Sequence, residues 1–148
     1  PYSLFWRHIE KKIMPYCRQN NISILAYSPM AQGLLTGKFT QNHEFEKGDH
    51  RVKNKLFEPQ NFQHVRQALD RLRPIAEKNA ASLAQLALAW VNSHIDTHAI
   101  AGARNADQVI QNARAAEVEL SENDLTRIDE IGRLVTDHLD ENPVMWRS

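Results

Sequence analysis

The 148-residue chain contains two short apolar runs and five segments in which apolar residues recur with helical spacing. The first run, residues 22–27, is rich in β-branched and aromatic side chains, follows the polar segment 19–21 and stops before Ser28 and Pro29. Pro29 cannot donate a hydrogen bond to a sheet and biases Ser28 towards an extended conformation, so the run should end there. The pattern predicts a buried strand whose C-terminal end opens into a loop.

The second run, residues 97–101, predicts another short buried strand, which residues 102–105 interrupt. Apolar side chains that recur every three or four positions predict the helices. These helices span residues 8–19, 61–79, 82–91 and 122–132, with a further one starting at Asn105 or Ala106. Strands and helices alternate, which is typical of an α/β fold with parallel strands.

The helical periods also predict caps and core-facing side chains. Asn61 is the predicted N-cap of the long helix, and Ser121 is that of the last helix. Ser82 and Gln85 form a capping-box pattern, and Pro74 is expected to bend the long helix. The predicted core-facing residues are Ile9, Ile13, Tyr16 and Cys17; Phe62, Val65, Leu69, Leu72 and Ala76; Leu83, Leu86, Ala87 and Trp90; Val109, Ile110 and Ala113; and Leu125, Ile128 and Ile131.

Between residues 40 and 61 the periodicity disappears, and the segment is polar and basic. A loop of this length inside a compact domain is usually functional or mobile. One interpretation is a flap over a phosphate-bearing ligand, with Arg51 as the contact. A solvated basic loop would have the same composition.

Charge and cysteine content exclude several classes of function. The 18 Lys and Arg residues balance the 18 Asp and Glu residues, so nothing favours binding to nucleic acid or to an anionic membrane. The single cysteine, Cys17, cannot form an internal disulfide, and core packing is its expected role. No apolar run approaches the roughly 20 residues of a membrane span, and no signal peptide is visible, so we expect a cytoplasmic protein.

The loop after the first predicted strand carries the first chemical signal. Gly33 and Gly37 would let the backbone approach a ligand, and Lys38 could meet an anion. In α/β folds the chemistry lies at the C-terminal ends of parallel strands. A core strand followed by a surface turn would give the same spacing.

The second chemical signal lies at the end of the second predicted strand and on the first turns of the next helix. Its residues are Gly102, Arg104, Gln108, Gln111 and Asn112. The N-terminus of a helix attracts phosphate, glycine admits it, and Arg104 supplies a bidentate fork. The three amide side chains fall at i, i+3 and i+4 and so share one face, which a solvated helix would also show.

Three segments together resemble the aldo-keto reductase family. Residues 27–38, Tyr-Ser-Pro-Met-Ala-Gln-Gly-Leu-Leu-Thr-Gly-Lys, closely resemble its strand-seven motif. Residues 82–90 look like the helix before its eighth strand, and residues 100–105 with 108–112 look like its adenosine 2′-phosphate site. The resemblance covers nearly the whole chain in register. It implies an α/β fold, the C-terminal part of a (β/α)₈ TIM barrel, as a single partial domain over residues 1–148.

The resemblance also implies an NADP(H) site without a Rossmann fold. Tyr27 would stack on the nicotinamide, and the 2′-phosphate and adenine would meet the second cluster. The cofactor-binding residues implied are Tyr27, Ser28, Pro29, Met30, Gln32, Gly33, Leu35 and Lys38, then Gly102, Arg104 and Gln108 at the 2′-phosphate, and Gln111 and Asn112 at the adenine. Gln111 stands where Glu is usual, Ala101 where Pro is usual, and Ser3 where Asn is usual.

The family's catalytic tetrad of Asp, Tyr, Lys and His belongs to its first four strands, whereas this chain matches from about the end of strand six. Tyr2, Tyr16, Lys38 and His43 stand in the wrong context to replace it. The intact family enzyme would transfer hydride from NADPH to an aldehyde or ketone. We expect this chain to carry most of the cofactor site and none of the catalytic residues.

Three hypotheses follow for the chain. In the first, the chain is the C-terminal part of an aldo-keto reductase, as a truncated form, a proteolytic fragment or a shortened gene product. In the second, it is an inactive NADP(H)-binding or interaction module. In the third, it is a half-barrel that another chain completes. Without the other strands the sheet would be open, so we expect self-association or pairing through that side. The side chains expected to be uncovered are Ile22, Ile24, Ala26, His98 and Ile100.

Overall fold

Two short strands, β1 (Ile24–Tyr27) and β2 (Thr97–Ile100), pair in parallel. The structure is a computed structural model and describes residues 1–147. Ile24 pairs with Thr97, and Tyr27 pairs with Ile100. Because the strands are parallel and in register, the residues that follow Tyr27 and Ile100 leave the sheet at the same edge.

Helices account for most of the ordered backbone, so the fold is α/β, as predicted, but rich in helix. The α-helices are α1 (Ile13–Gln19), α2 (Pro59–Lys78), α3 (Leu83–Asn92), α4 (Ala106–Arg114) and α5 (Glu122–Thr136). Short 3₁₀ segments cover His8–Lys11, Ala31–Thr36 (kinked at Gln32 and Gly33), His50–Lys53, Lys55–Phe57 and Ala115–Glu117. The connection from β1 to β2 contains α2 and α3, which is the crossover that parallel strands require.

The core lies on one side of the sheet, where α2, α3 and α5 pack with the amino-terminal segment. Tyr2, Leu4, Phe5 and Trp6 are all fully buried there. The Tyr2 N–H donates to the carbonyl of Tyr27 at 3.1 Å, which ties the segment to the end of β1. The amino-terminal segment, which is largely apolar and has neither helical nor strand periodicity, is therefore part of the hydrophobic core.

Ionic contacts connect the layers of this core. The Arg7 guanidinium donates to Asp129 on α5 at 2.9 Å, and the Trp90 indole of α3 donates to the same carboxylate at 3.1 Å. On the far side, Lys78 at the end of α2 donates to both carboxylate oxygens of Asp124 on α5, each at 2.9 Å. α5 is therefore linked to its neighbours at its first turn through Asp124 and at its middle through Asp129.

Most predicted caps are confirmed. Ser82 and Gln85 form the predicted capping box, and Ser121 accepts a hydrogen bond from the Asp124 N–H at the start of α5. The prediction for Asn61 is wrong, because α2 starts two residues earlier at Pro59. Proline suits the first helical position, and Asn61 instead donates from its amide to the Lys55 carbonyl at 2.7 Å.

Two predicted core faces are wrong. In α1, Met14 is buried while Ile13 and Tyr16 are exposed. The 3₁₀ turn that precedes α1 and the irregular backbone at Lys12 change the helical phase, so a single 3.6-residue period does not run through residues 8–19. In α4, Val109 and Ile110 are exposed as well, because no element within residues 1–147 covers that side of the helix.

The predicted core faces of the other helices are largely confirmed. The buried members of α2, α3 and α5 include every predicted residue except Leu125, which is half-buried. The strands, by contrast, are not buried on both faces. Ala26 and Thr97 are buried against the helices, while Leu25, Tyr27, His98 and Ile100 are exposed. The expectation of an uncovered Ala26 is therefore wrong, because its side chain points to the helical side of the sheet.

Candidate functional site

The C-terminal ends of β1 and β2 open into a shared cleft of about 930 Å³. One wall is the loop after β1, the second is the segment from the end of β2 into α4, and the third is the loop around residues 46–51. The predicted site residues that line this cleft are Ser28, Pro29, Met30, Gln32, Gly33, Lys38, Gly102, Arg104, Gln108, Gln111 and Asn112. The two clusters predicted separately from the sequence therefore belong to one site.

Two predicted cofactor-binding residues do not line the cleft. Leu35 is buried in the core, and its N–H donates to the Met30 carbonyl at 3.2 Å. The side chain of Leu35 thus packs inward, and its part in cofactor binding stays a prediction. Tyr27 is exposed at the end of β1, on the open face of the sheet and beside the cleft.

The loop after β1 is a sharply turned backbone. Ser28, Ala31 and Gln32 have φ angles of 56°, 49° and 57°, a left-handed conformation that costs a non-glycine residue roughly 1–2 kcal/mol. Gly33 follows at φ 93°, where an added Cβ would lie 3.2 Å from the Phe39 ring. The Gln32 amide donates to the Ser28 hydroxyl and closes the turn. Strained turns of this kind occur most often at functional sites.

The segment after β2 is held by a series of side-chain amides. Asn105 caps α4 by accepting from the Gln108 N–H at 2.9 Å, and the Gln108 side-chain oxygen accepts from the Arg104 N–H at 2.8 Å. The Asn112 amide donates to the Gly102 carbonyl at 3.2 Å. Because a backbone N–H can only donate, the Gln108 oxygen is fixed towards Arg104 and its NH₂ group remains for the cleft.

Three cations that line the cleft, Lys38, Lys47 and Arg104, have no acidic partner among residues 1–147. Lys38 lies 5.0 Å from the Phe39 ring centroid. Gly102 lies beside Arg104, and a Cβ built on it would meet no atom within 4 Å. Packing therefore does not require glycine at this position, and the space above its backbone is available to a ligand.

In the third wall, Arg51 is paired with a carboxylate. Its guanidinium donates to both carboxylate oxygens of Asp49 and lies 5.5 Å and 5.1 Å from the Phe39 and Phe45 ring centroids. Hydrogen bonds from the Arg51 side chain, and then from its backbone N–H, hold the pKa of Asp49 below its usual range. Arg51 thus brings a carboxylate to the cleft, and its contact with a phosphate stays a prediction. The loop itself does lie along the cleft.

Several lining residues were missed by sequence reasoning. They are Thr36, Glu46, Lys47, Gly48, Asp49, His50, Ala84, Ile100 and Ala103. Gln85 was noticed only as a capping residue, yet its amide also donates to the backbone and side-chain oxygens of Gln111, both at 3.1 Å. Its position in the helix pattern contained no signal for that second contact.

The side chains considered as substitutes for the tetrad lie elsewhere, except Lys38. Tyr2 is buried and donates to Glu10 at 2.7 Å; burial, and then this hydrogen bond, raise the pKa of its phenol. His43 packs edge-on against Phe39, and Tyr16 is exposed on α1. Within residues 1–147 no three His, Cys, Asp or Glu side chains are grouped as metal ligands. No helix in that range is long and apolar enough to cross a membrane.

Comparison with known proteins identifies relatives over most of the chain. The model of the Aldo/keto reductase family matches residues 1–133. An NADH-specific methylglyoxal reductase of Escherichia coli is 34% identical over 131 residues, which cover 88% of this chain and 40% of that protein. An aldo-keto reductase [NADP(+)] of Schizosaccharomyces pombe is 32% identical, with 88% of this chain and 38% of that protein covered. The chain thus spans about two fifths of the length of these relatives.

A solved structure agrees with the sequence matches. The glycerol dehydrogenase of Gluconobacter oxydans superposes with a TM-score of 0.85 at 34% identity, covering 95% of this chain and 43% of that one. The similarity indicates the (β/α)₈ barrel fold, of which residues 1–147 form a helix-rich part with two parallel strands.

Proposed function

Because the chain belongs to the aldo/keto reductase family, we propose that it forms the adenosine and pyrophosphate part of an NADP(H) site in an oxidoreductase that reduces aldehydes or ketones to alcohols. The observation that carries this proposal is the single cleft in which the loop after β1 meets the segment after β2. The cofactor supplies the hydride, and this chain's residues bind and orient it. The balanced charge and single cysteine favour a cytoplasmic setting.

The cleft fits a phosphorylated dinucleotide. Arg104 and Lys38 offer positive charge that no ion pair among the described residues neutralises, and Gln108 offers an N–H donor beside Arg104. Gly102 leaves space over its backbone. Arginine is suited to a dianionic phosphate because its planar fork donates two parallel hydrogen bonds. These groups support binding of a ribose 2′-phosphate at the start of α4.

Cofactor choice is part of the proposal, because one relative is named for NADH and another for NADP(+). An NADH site commonly places an acidic residue at the ribose 2′-hydroxyl. In this cleft the acidic residues, Glu46 and Asp49, belong to the third wall, and Asp49 is paired with Arg51. We therefore propose that the site prefers NADP(H) through Arg104.

Calorimetric titration of the 148-residue chain with NADPH and NADH tests this function. Arg104→Ala should weaken NADPH binding by roughly 10- to 100-fold, the equivalent of about 1.5–3 kcal/mol for a hydrogen bond to a charged group. NADH binding should change little. Arg71→Ala is the matched control, because Arg71 is exposed on α2 and away from the cleft. Equal affinities for the two cofactors, or an Arg104→Ala variant that retains full affinity, would contradict the proposal.

The second candidate is a cofactor-binding or interaction module without turnover. It is favoured by the buried position of Tyr2 and by the packing of the His43 ring against Phe39. A positioned proton donor contributes roughly 10²–10⁴-fold to such reactions. We expect the chain alone to reduce a reactive aldehyde such as nitrobenzaldehyde no faster than the buffer does. Robust NADPH oxidation by the pure chain would contradict this expectation.

A further inference from the structure

The carboxyl-terminal tail, residues 139–147, lies beyond the part of the chain that the family model matches, which ends at residue 133. Residues 137–147 follow α5 and belong to no helix or strand. Terminal segments of this kind are poorly ordered unless tertiary contacts hold them. Here Met145 is 2% exposed, and Trp146 packs against the core. The tail is therefore a fixed part of the fold, although the family match does not extend to it.

The first half of the tail contacts the amino-terminal part of the chain. The Trp6 indole donates to the Pro143 carbonyl at 3.3 Å, and the Lys11 ammonium donates to Glu141 at 2.6 Å. Lys11 and Glu141 are both largely exposed, so their ion pair should contribute little to stability. None of these four residues lines the cleft. The first half of the tail is thus attached to the rest of the chain outside the cleft.

The second half of the tail pairs with the backbone that follows the third wall. The Lys55 N–H donates to the Met145 carbonyl at 3.0 Å, and the Arg147 N–H donates to the Lys53 carbonyl at 2.9 Å. The residues between these two hydrogen bonds form an isolated antiparallel bridge. Because donors and acceptors are all main-chain groups, this junction fixes the path of residues 53–55 relative to the tail.

The junction reaches the cleft through His50. The His50 ring, which lines the cleft, meets the Trp146 indole nearly edge-on, with the ring centroids 5.6 Å apart and the ring planes at 69°. Edge-to-face pairs of rings at this separation attract each other. Trp146 itself does not line the cleft. It can therefore act on a bound ligand only through the wall that it supports.

The third wall needs support of this kind, because it has little regular structure of its own. Residues 40–49 belong to no helix or strand, and a 3₁₀ segment begins only at His50. The ion pair between Asp49 and Arg51 is internal to the wall and does not connect it to the tail. A loop with few contacts opens at a low cost in free energy, so contacts from behind decide how often it opens.

We propose that Trp146 is a positioning residue, and that the tail holds the third wall in place through it and slows the release of a dinucleotide from the cleft. The inference rests on the proposed cofactor function, since the wall can retain a ligand only if one binds there. A wall fixed before binding loses less conformational freedom when the ligand arrives. Contacts of this kind mainly change the dissociation rate, because association is limited by diffusion and orientation.

Stopped-flow release of NADPH from the 148-residue chain tests the inference. Bound NADPH is displaced by excess NADP⁺, and the loss of its fluorescence gives the dissociation rate. Trp146→Ala removes the ring behind His50 and should raise that rate about two- to tenfold, which corresponds to one edge-to-face contact. The association rate should change less. Trp146→Phe keeps an aromatic edge against His50 and should restore most of the slow release.

Amide hydrogen exchange of the chain without cofactor provides a second readout. Exchange in residues 46–51 should be faster in Trp146→Ala than in the wild type, because the wall opens more often. Trp146→Leu keeps an apolar side chain on the core but offers no aromatic edge. It should behave like Trp146→Ala in both measurements, and it covers the case in which Trp146→Ala fails to fold.

Leu134→Ala is the matched control for a general loss of stability. Leu134 is a half-buried side chain of α5 that packs on the core and does not line the cleft. Its substitution should lower the melting temperature but leave both the release rate and the exchange of residues 46–51 unchanged. Lys11→Met breaks the exposed ion pair in the first half of the tail and should change none of the three quantities.

The outcomes separate this inference from the cofactor proposal. An unchanged release rate in Trp146→Ala and Trp146→Leu would disprove the positioning role and leave the cofactor proposal intact. Release that is accelerated as much in Leu134→Ala would also disprove it, because the effect would then reflect stability alone. Failure of the wild-type chain to bind NADPH at all would overturn the cofactor proposal and this inference with it.

Discussion

The two faces of the sheet are both apolar, but only one is covered. On the helical face, Ala26 and Thr97 are each 2% exposed beneath the packed helices. On the opposite face, Leu25, Tyr27 and Ile100 are 66%, 52% and 52% exposed. Within residues 1–147 nothing lies over that second face. Parallel sheets are normally covered on both sides, so the open face is the unusual one.

Elements of this chain can therefore cover one face of the sheet while the other face stays uncovered. The helical face is closed by α2, α3, α5 and the amino-terminal segment 2–6, all of which lie in this chain. The open face carries residues of the same chemical type, yet it requires partners from outside the described residues. In a (β/α)₈ barrel, the fold that the structural comparison indicates, further strands belong to the same sheet.

A matched pair of leucines should give the largest contrast between the two faces. Leu72→Ala removes a buried side chain of α2 and should lower the free energy of unfolding by about 2–5 kcal/mol. Leu25→Ala removes an exposed side chain of β1 and should change it by less than about 0.5 kcal/mol. Urea denaturation of both variants measures the difference. Equal losses would mean that the open face is covered in solution.

Sequence periodicity predicted the covered side well, because its helices have long, regular patterns and their partners lie within the chain. In α2 and α3 every predicted core-facing residue is buried. The same reasoning failed for Val109 and Ile110 of α4, because an apolar stripe predicts burial only when a partner is present. It also failed for α1, where a 3₁₀ turn before Ile13 shifts the phase of the helix.

The candidate site could be predicted as a set of residues but not as a network. The family motifs named about half of the lining residues, those of the two strand-end walls above all, because strand-end loops recur in sequence as well as in space. The pairing of Arg51 with Asp49 and the contact of Gln85 with Gln111 could not be predicted. Such contacts depend on side-chain orientation, and in the second case on residues 26 positions apart.

Removal of the ion pair between Lys78 on α2 and Asp124 on α5 tests how much electrostatic attraction contributes to the stability of the covered side. Lys78→Met should lower the free energy of unfolding by about 1.5 kcal/mol at pH 7, the lower end of the range for hydrogen bonds to charged groups, because Lys78 is more than half exposed. The Lys78 hydrogen bonds, followed by those from Ser121 and Asn79, lower the pKa of Asp124 in the folded state.

A lowered carboxylate pKa fixes the sign of the pH dependence. The stabilisation is fully present above the unfolded pKa of about 3.9 and is lost as the pH falls through the lower folded-state pKa. The difference in melting temperature between wild type and Lys78→Met should therefore shrink as the pH falls below about 4. Lys53→Met, an exposed change without an ion pair among the described residues, is the control. A difference that stays constant with pH would contradict this explanation.

Two glycines provide a smaller contrast between the core and the cleft. An added Cβ on Gly132 of α5 would lie 2.6 Å from the Leu4 side chain and 3.0 Å from its carbonyl oxygen, whereas one on Gly102 meets nothing within 4 Å. Overpacking costs about 1–3 kcal/mol, and alanine regains about 1 kcal/mol of helix propensity. Gly132→Ala should therefore destabilise the chain by about 1 kcal/mol in thermal melts.

Gly102→Ala should leave the melting temperature unchanged and weaken NADP⁺ binding instead, because its methyl group would occupy space available to the ligand. A loss of stability in Gly102→Ala as large as that in Gly132→Ala would show that Gly102 is a packing glycine. The proposal that its backbone adjoins the cofactor would then lose its support.

A substitution on the open face should have the smallest effect on stability but should change how the chain associates. We propose that the chain self-associates, or pairs with another chain, through the open face, because unpaired strand edges and exposed apolar side chains lie together there. Light scattering at low micromolar concentration should show species larger than the 17.0 kDa monomer.

Leu25→Lys places a charge at the centre of that face and should shift the population towards monomer, at a cost below about 0.5 kcal/mol to the fold itself. Val52→Lys, equally exposed but outside the sheet, should leave association unchanged. A monodisperse wild-type monomer with a sharp, cooperative melt would contradict the proposal, because two strands with one bare face would then be sufficient for a stable fold.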